Sequence, residues 1–135
     1  MAKPLQVVVV TPEQTALEQE AEFVALPLYD GEIGIAPDHS PLIGRLGYGE
    51  MRIKTGGKTL HFYIDGGFVQ VVDNVVSILT NRAVPASKLD IAVAQAQLSS
   101  AMAKPANTPE LLAIRDRSIN QARAQIRVAK LASRA

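Results

Sequence analysis

Asp38-His39-Ser40 brings the three side-chain types of a hydrolytic triad into one tripeptide. A triad needs converging side chains: a carboxylate that orients the imidazole, and an imidazole that takes the hydroxyl proton. Adjacent residues project in different directions, so Asp38 cannot easily orient its own neighbour's ring. The tripeptide reads instead as a turn that offers His39 as a contact. His61, the other of the two histidines, falls in a strand-like run, where a structural or exposed imidazole is the default. Two distant histidines and scattered carboxylates lack metal-ligand spacing such as His-Glu-x-x-His. Cysteine is absent, which excludes disulfides and thiolate zinc sites. Gly44-Arg45-Leu46-Gly47-Tyr48-Gly49 comes nearest to a phosphate loop but lacks the following Lys-Ser/Thr pair that would reach phosphate and Mg²⁺. Its glycines read as turn residues, and no residue is assigned a catalytic role.

A second feature is basic. Arg123, Arg127, Lys130 and Arg134 recur at i, i+4, i+7 and i+11, which places all four on one helical ridge. Leu112, Ile119, Ala122, Ile126 and Ala129 form an adjoining stripe that can bury. The ridge reads as a solvated face or as a docking face for an acidic partner, and it lacks the alternating acids that lace a purely solvated one. Nucleic-acid binding through this helix is the alternative function. The aromatics disfavour it: Phe23, Tyr29, Tyr48, Phe62, Tyr63 and Phe68 all lie far from the ridge, so no stacking platform accompanies the cations.

Two modules must position these residues. Residues 1–85 hold six Lys/Arg against ten Asp/Glu, a net of −4, whereas residues 86–135 hold eight against three, a net of +5. Halves of opposite sign suggest different partners. No window approaches the roughly 20 apolar residues of a membrane span, and the Val7–Val10 run is too short for a signal-peptide core. From Leu5 to Thr80, short apolar or alternating runs sit between turn signals: Leu5–Thr11, Ala16–Glu20, Glu22–Leu26, Ile33–Ile35, Leu42–Leu46, Gly49–Lys54, Thr59–Ile64, Phe68–Val72 and Val75–Thr80. Thr55-Gly56-Gly57-Lys58 and Asp73-Asn74 are hairpin turns, and Asp65-Gly66-Gly67 reads as another turn. Many short strands at close spacing imply a sandwich or flattened barrel. Pro37 and Pro41 exclude a helix between them. After Pro85 the character changes. Ser87-Lys88-Leu89-Asp90 reads as a capping box with Ser87 at the N-cap, opening a helix to about Lys104. Thr108-Pro109 opens a second helix. Thirteen alanines among residues 86–135 favour helix but bury little area. The fold class is therefore α+β: an N-terminal antiparallel β-sandwich over residues 1–85, then an antiparallel two-helix hairpin over 86–135.

The stretch Gly31-Glu32-Ile33-Gly34, with Pro37, His39, Pro41, Leu42, Gly49 and Arg52-Ile53, resembles the epsilon subunit of F-type ATP synthases. Ile64-Asp65-Gly66-Gly67-Phe68-Val69-Gln70-Val71, followed by Asn74-Val75-Val76, matches a second signature of that family. The family's usual glycine between the Pro and the His is Asp38 here, a residue that tolerates left-handed backbone better than most. The resemblance covers nearly the whole chain and implies a sandwich of ten strands. It further implies a non-catalytic rotor subunit, peripheral on the cytoplasmic side of an energy-transducing membrane. Its partners would be the gamma subunit, the c-ring and the alpha/beta catalytic head, with neither nucleic acid nor direct membrane insertion. By the same resemblance, Glu32 at a loop tip meets the c-ring, while His39, Leu42 and Ile43 face gamma, and an exposed apolar loop is what an interface looks like. The basic ridge of Arg123, Arg127, Lys130 and Arg134 is then the contact that lets the helices restrain ATP hydrolysis. Some family members bind ATP through Leu-Asp-x-x-Arg-Ala, which here reads Leu89-Asp90-Ile91-Ala92-Val93-Ala94. Val93 cannot neutralise phosphate, so Leu89 and Asp90 alone remain for regulatory ATP, and no other cofactor is implied.

Overall fold

The computed structural model describes residues 3–133, and the chain divides into two compact units, residues 1–85 and 86–135. The first unit holds eight strands among the described residues: β1 (Leu5–Val10), β2 (Thr15–Ala21), β3 (Phe23–Leu28), β4 (Gly31–Ile35), β5 (Leu42–Thr55), β6 (Lys58–Val72), β7 (Val75–Leu79) and β8 (Ala83–Pro85). They pair in the order β2-β1-β7-β6-β5-β3-β4, with β8 added to β6. All pairs are antiparallel except β1 with β7.

The count of ten strands is corrected to eight because two long strands each serve both halves of the sandwich. The register of β5 on β6 runs unbroken in direction from Leu42↔Val71 through Leu46↔Gly67 and Tyr48↔Asp65 to Thr55↔Lys58. Asp65-Gly66-Gly67, expected as a turn, lies inside β6, with Gly66 at φ 71° and Gly67 at φ 109°. At that point β6 exchanges neighbours: Phe62–Ile64 pair with β8, and Phe68–Val72 pair with β7. The inner faces meet in one cluster, in which Leu5, Val7, Val9, Val69, Val71, Val76 and Ile78 join Val24, Leu26, Ile35, Met51, Ile53 and Ile64. Period-two alternation produces this, with Leu5, Val7 and Val9 fully buried between half-buried Gln6, Val8 and Val10. The expected hairpin turns form. Gly56 and Gly57 have φ of 55° and 78°, and Asp73 and Asn74 have φ of 50° and 65°, the left-handed pairs of tight type I′ turns.

The second unit contains a 3₁₀ turn (Ala86–Lys88), α1 (Ile91–Met102) and α2 (Pro109–Ser133). The start of α1 differs from the expected capping box. Asp90 is itself the N-cap, its Oδ1 accepting from the backbone N–H of Ala92 at 2.9 Å and Val93 at 3.3 Å, whereas Ser87 is used in the preceding 3₁₀ turn. Thr108 caps α2 as expected, its hydroxyl accepting from Leu111 N–H at 3.1 Å. Ala94 and Ala101 of α1 and Ala122, Gln125 and Ala129 of α2 are buried. Ile119 and Ile126 are half-buried, but Leu112 is exposed, so the expected stripe buries only from Ile119 onward.

The core of the first unit draws all its members from residues 5–83. Residues 1–85 alone are therefore expected to melt cooperatively as a folded domain. Thermal denaturation followed by circular dichroism checks this, and a random-coil spectrum at 20 °C would contradict it.

Candidate functional site

Three groups of side chains on the first unit stand out. The first is the turn between β4 and β5. Asp38 adopts φ 65°, and its N–H donates to Asn74 Oδ1 at 2.6 Å while Asn74 Nδ2 donates to Asp38 Oδ1 at 3.2 Å. This reciprocal pair ties the turn to the β6–β7 hairpin and uses the Asp38 side chain. His39 Nδ1 lies 2.7 Å from the Ser40 carbonyl oxygen, not on Asp38, so the tripeptide is a locked turn with a half-buried histidine.

The second group is an apolar outer face. Cross-strand register aligns Arg45, Phe68, Leu79 and Val10 in one row, and Ile43, Gln70, Ser77 and Val8 in the next. Ile43 is 77% exposed, Phe68 59% and Leu79 54%, an unusual content for solvent. Tyr29, in the β3–β4 turn, lies under the Arg45 guanidinium at 4.6 Å from its ring centre and extends the patch. Leu42 was expected on the same surface as Ile43. Successive strand residues point to opposite faces, and Leu42 turns inward against the core, so Ile43 alone of the pair is presented.

The third group is a chain of charges. Glu32 was expected at a free loop tip but lies in β4, where Arg52 grips it with two hydrogen bonds, Nη2 to Oε1 at 2.8 Å and Nη1 to Oε2 at 3.3 Å. Arg52 Nη1 also donates to Glu50 Oε1 at 3.2 Å, and Glu50 Oε2 lies 3.2 Å from His61 Nδ1. The Arg52 side chain spans β3 because the intervening residue, paired to both Arg52 and Gly34, is the small Ala25. The bonds to Glu32 hold the guanidinium pKa above its ordinary value, first among several causes; partial burial opposes them, and Glu50 adds to them. Arg52, Glu50, Phe68 and Leu79 were missed as site residues. Part of the signal was present, since the Gly56-Gly57 hairpin register puts Arg52 opposite His61 and the Asp73-Asn74 register puts Phe68 opposite Leu79, but neither points to Glu32.

In the second unit, Arg123, Arg127 and Lys130 are exposed along α2, and Arg134 lies outside the described residues. Leu89 is half-buried, and the Asp90 carboxylate is committed to the α1 cap. The shallow depression lined by residues 86–92 and Ala129 carries one cation, Lys88, against the Asp90 anion. That set does not fit a triphosphate, which needs several donors and positive charges. Among the described residues no group of His, Asp or Glu is placed to hold a metal ion, and no helix is long and apolar enough to cross a membrane.

Comparison with known proteins gives a consistent family. Residues 4–86 match the model of the beta-sandwich domain of the ATP synthase delta/epsilon chain. The chain is 46% identical over 126 residues to the ATP synthase epsilon chain of Rhodopirellula baltica, covering 93% of this chain and 98% of that one. It is 46% identical over 91 residues to the epsilon chain of Desulfitobacterium hafniense, covering 67% and 69%. Its fold is similar to a chain in the mitochondrial ATP synthase OSCP/F1/c-ring structure of Euglena gracilis, with a TM-score of 0.81 at 21% identity, over 98% of this chain and 82% of that one.

Proposed function

Because the chain belongs to the ATP synthase delta/epsilon-chain family, we propose that it is the epsilon subunit of an ATP synthase central stalk, a rotor subunit with no catalytic site of its own. The observation that carries this reading is the 46% identity running through nearly the whole chain, helices included. The sandwich clamps the stalk to the membrane ring from the cytoplasmic side. Its apolar face, with Ile43 in one row and Phe68 and Leu79 in the next, meets the gamma subunit together with His39, and its Glu32 rim meets the polar loops of the c-ring. The helical unit acts on the alpha/beta head and restrains ATP hydrolysis. The chain thereby links ion flow to catalysis carried out elsewhere. Tagged full-length protein is expected to recover gamma, the c-ring and the catalytic head from solubilised membranes. Recovery of nucleic acid in their place would overturn the assignment.

The basic ridge supplies the restraint by charge. Each exposed ion pair contributes only about 0–1 kcal/mol, but four together reach the roughly 1–3 kcal/mol typical of coupling between sites. Replacing Arg123, Arg127, Lys130 and Arg134 with alanine is expected to raise ATP hydrolysis by the assembled enzyme several-fold at low salt. The difference should narrow at high salt, because the screening length is about 10 Å at 0.1 M and shorter above it. Parental hydrolysis rates at low salt would reduce the ridge to a solvated face.

A further inference from the structure

The chain Glu32–Arg52–Glu50–His61 crosses the outer face of β4, β3, β5 and β6 and ends at a rim residue. Side-chain exposure rises outward from Glu50, 9%, through Arg52, 37%, to Glu32, 53%, and His61 on the other side of Glu50 is 28% exposed. Its inner end is therefore anchored and its outer end open. An unpaired glutamate at such a rim would sample many rotamers and lose that freedom on docking. Arg52 removes the freedom beforehand. Its planar fork takes one acceptor site on each Glu32 oxygen, out of about four that a carboxylate offers, and leaves the others for a partner. The fork cannot swing away readily, because the same guanidinium is tied to Glu50, itself held beside His61. Two carboxylates share one guanidinium, so with His61 neutral the group keeps one net negative charge.

We propose that Arg52 is a positioning residue: it presents the Glu32 carboxylate in a fixed orientation, with its outward acceptor sites open to a cationic, N–H-donating side chain on the polar loops of the c-ring. This rests on the reading that Glu32 meets the ring. Arg52 does not itself contact the partner. Its contribution is the direction of the carboxylate, which a bidentate fork can set and a point charge cannot. The alternative relation is competition, in which Arg52 neutralises Glu32 and must be displaced when the ring docks. The two relations predict opposite signs for loss of Arg52.

The test titrates the full chain onto purified c-ring carrying gamma in detergent, below the melting temperature of every variant. Glu32→Gln is expected to weaken binding about tenfold, the scale of one well-made charged contact. Arg52→Gln should weaken it about as much, and the double variant no more than either alone, because both remove the same oriented carboxylate. Arg52→Lys keeps the charge without the fork. It should recover much of the melting temperature lost in Arg52→Gln while binding stays weakened, which a purely structural role for Arg52 would not produce. If Glu32→Gln weakens binding but Arg52→Gln binds as the parent or more tightly, Arg52 is a bystander or competitor and the proposal fails. Full affinity in Arg52→Lys would also overturn it, leaving charge alone as the cause. Parental affinity in Glu32→Gln would overturn the docking reading itself, and the proposal with it.

Discussion

Gly67→Ala is expected to remove about 2–6 kcal/mol of the sandwich's stability, far more than any exposed glycine substitution. Gly67 holds φ 109°, a conformation L-residues rarely adopt, and a Cβ there would overlap the Leu79 carbonyl oxygen and stand 2.9 Å from Thr80 Cα. Both neighbours are backbone of the adjacent chain segment, which also donates Thr80 N–H to the Val10 carbonyl at 3.0 Å. They cannot move without opening the β6–β7 and β1–β7 pairings. Backbone strain of this kind costs about 1–3 kcal/mol, and forced overpacking a further ~1–3 kcal/mol. The sum, about 2–6 kcal/mol, compares with a total stability of roughly 5–15 kcal/mol for an ordinary domain. Gly56→Ala is the control. Gly56 has φ 55° but nothing within 4 Å, so only the left-handed backbone term applies, about 1–2 kcal/mol. Urea denaturation distinguishes them. A midpoint for Gly67→Ala no lower than that of Gly56→Ala would show that β7 yields and that the strand crossing is softer than its geometry implies.

The same glycines explain how much of the fold was legible. Glycine at positive φ punctuates a turn or kinks a continuous strand, and local sequence does not distinguish the two. At Gly56-Gly57 and Asp73-Asn74 the flanking runs pair with each other, and turn chemistry alone sufficed. At Gly66-Gly67 the deciding contacts come from β7 and β5, remote in sequence, so one strand read as two. β8 escaped notice because three residues ending in Pro85 carry no periodicity. Asp90 displaced Ser87 as the cap because a 3₁₀ turn occupies the intervening residues, and helix phase is not visible in the capping pattern. Of the candidate site, Glu32, His39 and Ile43 were singled out from turn chemistry and resemblance, and the structure leaves Glu32 and Ile43 exposed and His39 half-buried. The grip of Arg52 was not, because it depends on Ala25 leaving room across β3. Nor was the inward turn of Leu42, which depends on strand register.

Phe68→Asp together with Leu79→Asp is expected to detach the subunit from gamma while leaving the sandwich folded. The two residues face each other across β6 and β7 on the outer surface, 59% and 54% exposed, with Arg45 beside Phe68 in the same row. Exposed positions of this kind usually change stability by no more than ~0.5 kcal/mol, so the melting temperature should move little. Their apolar surface stands in water without local purpose. An interface explains it, because truncation at the centre of an interface costs about 2 kcal/mol or more per anchor residue. Two such anchors replaced by charges that must be desolvated correspond to at least roughly a thousand-fold loss of affinity. Gln70 and Ser77 form the neighbouring cross-strand pair on the same face. Ser77→Ala is therefore the matched control and should bind as the parent. Affinity for purified gamma, measured by isothermal titration alongside thermal melts, separates the outcomes. A double variant that melts like the parent and still binds gamma within threefold would remove this face from the interface. The contact would then have to be sought among the remaining outer strands, where Glu18 and Glu20 on β2 offer charge in place of apolar area.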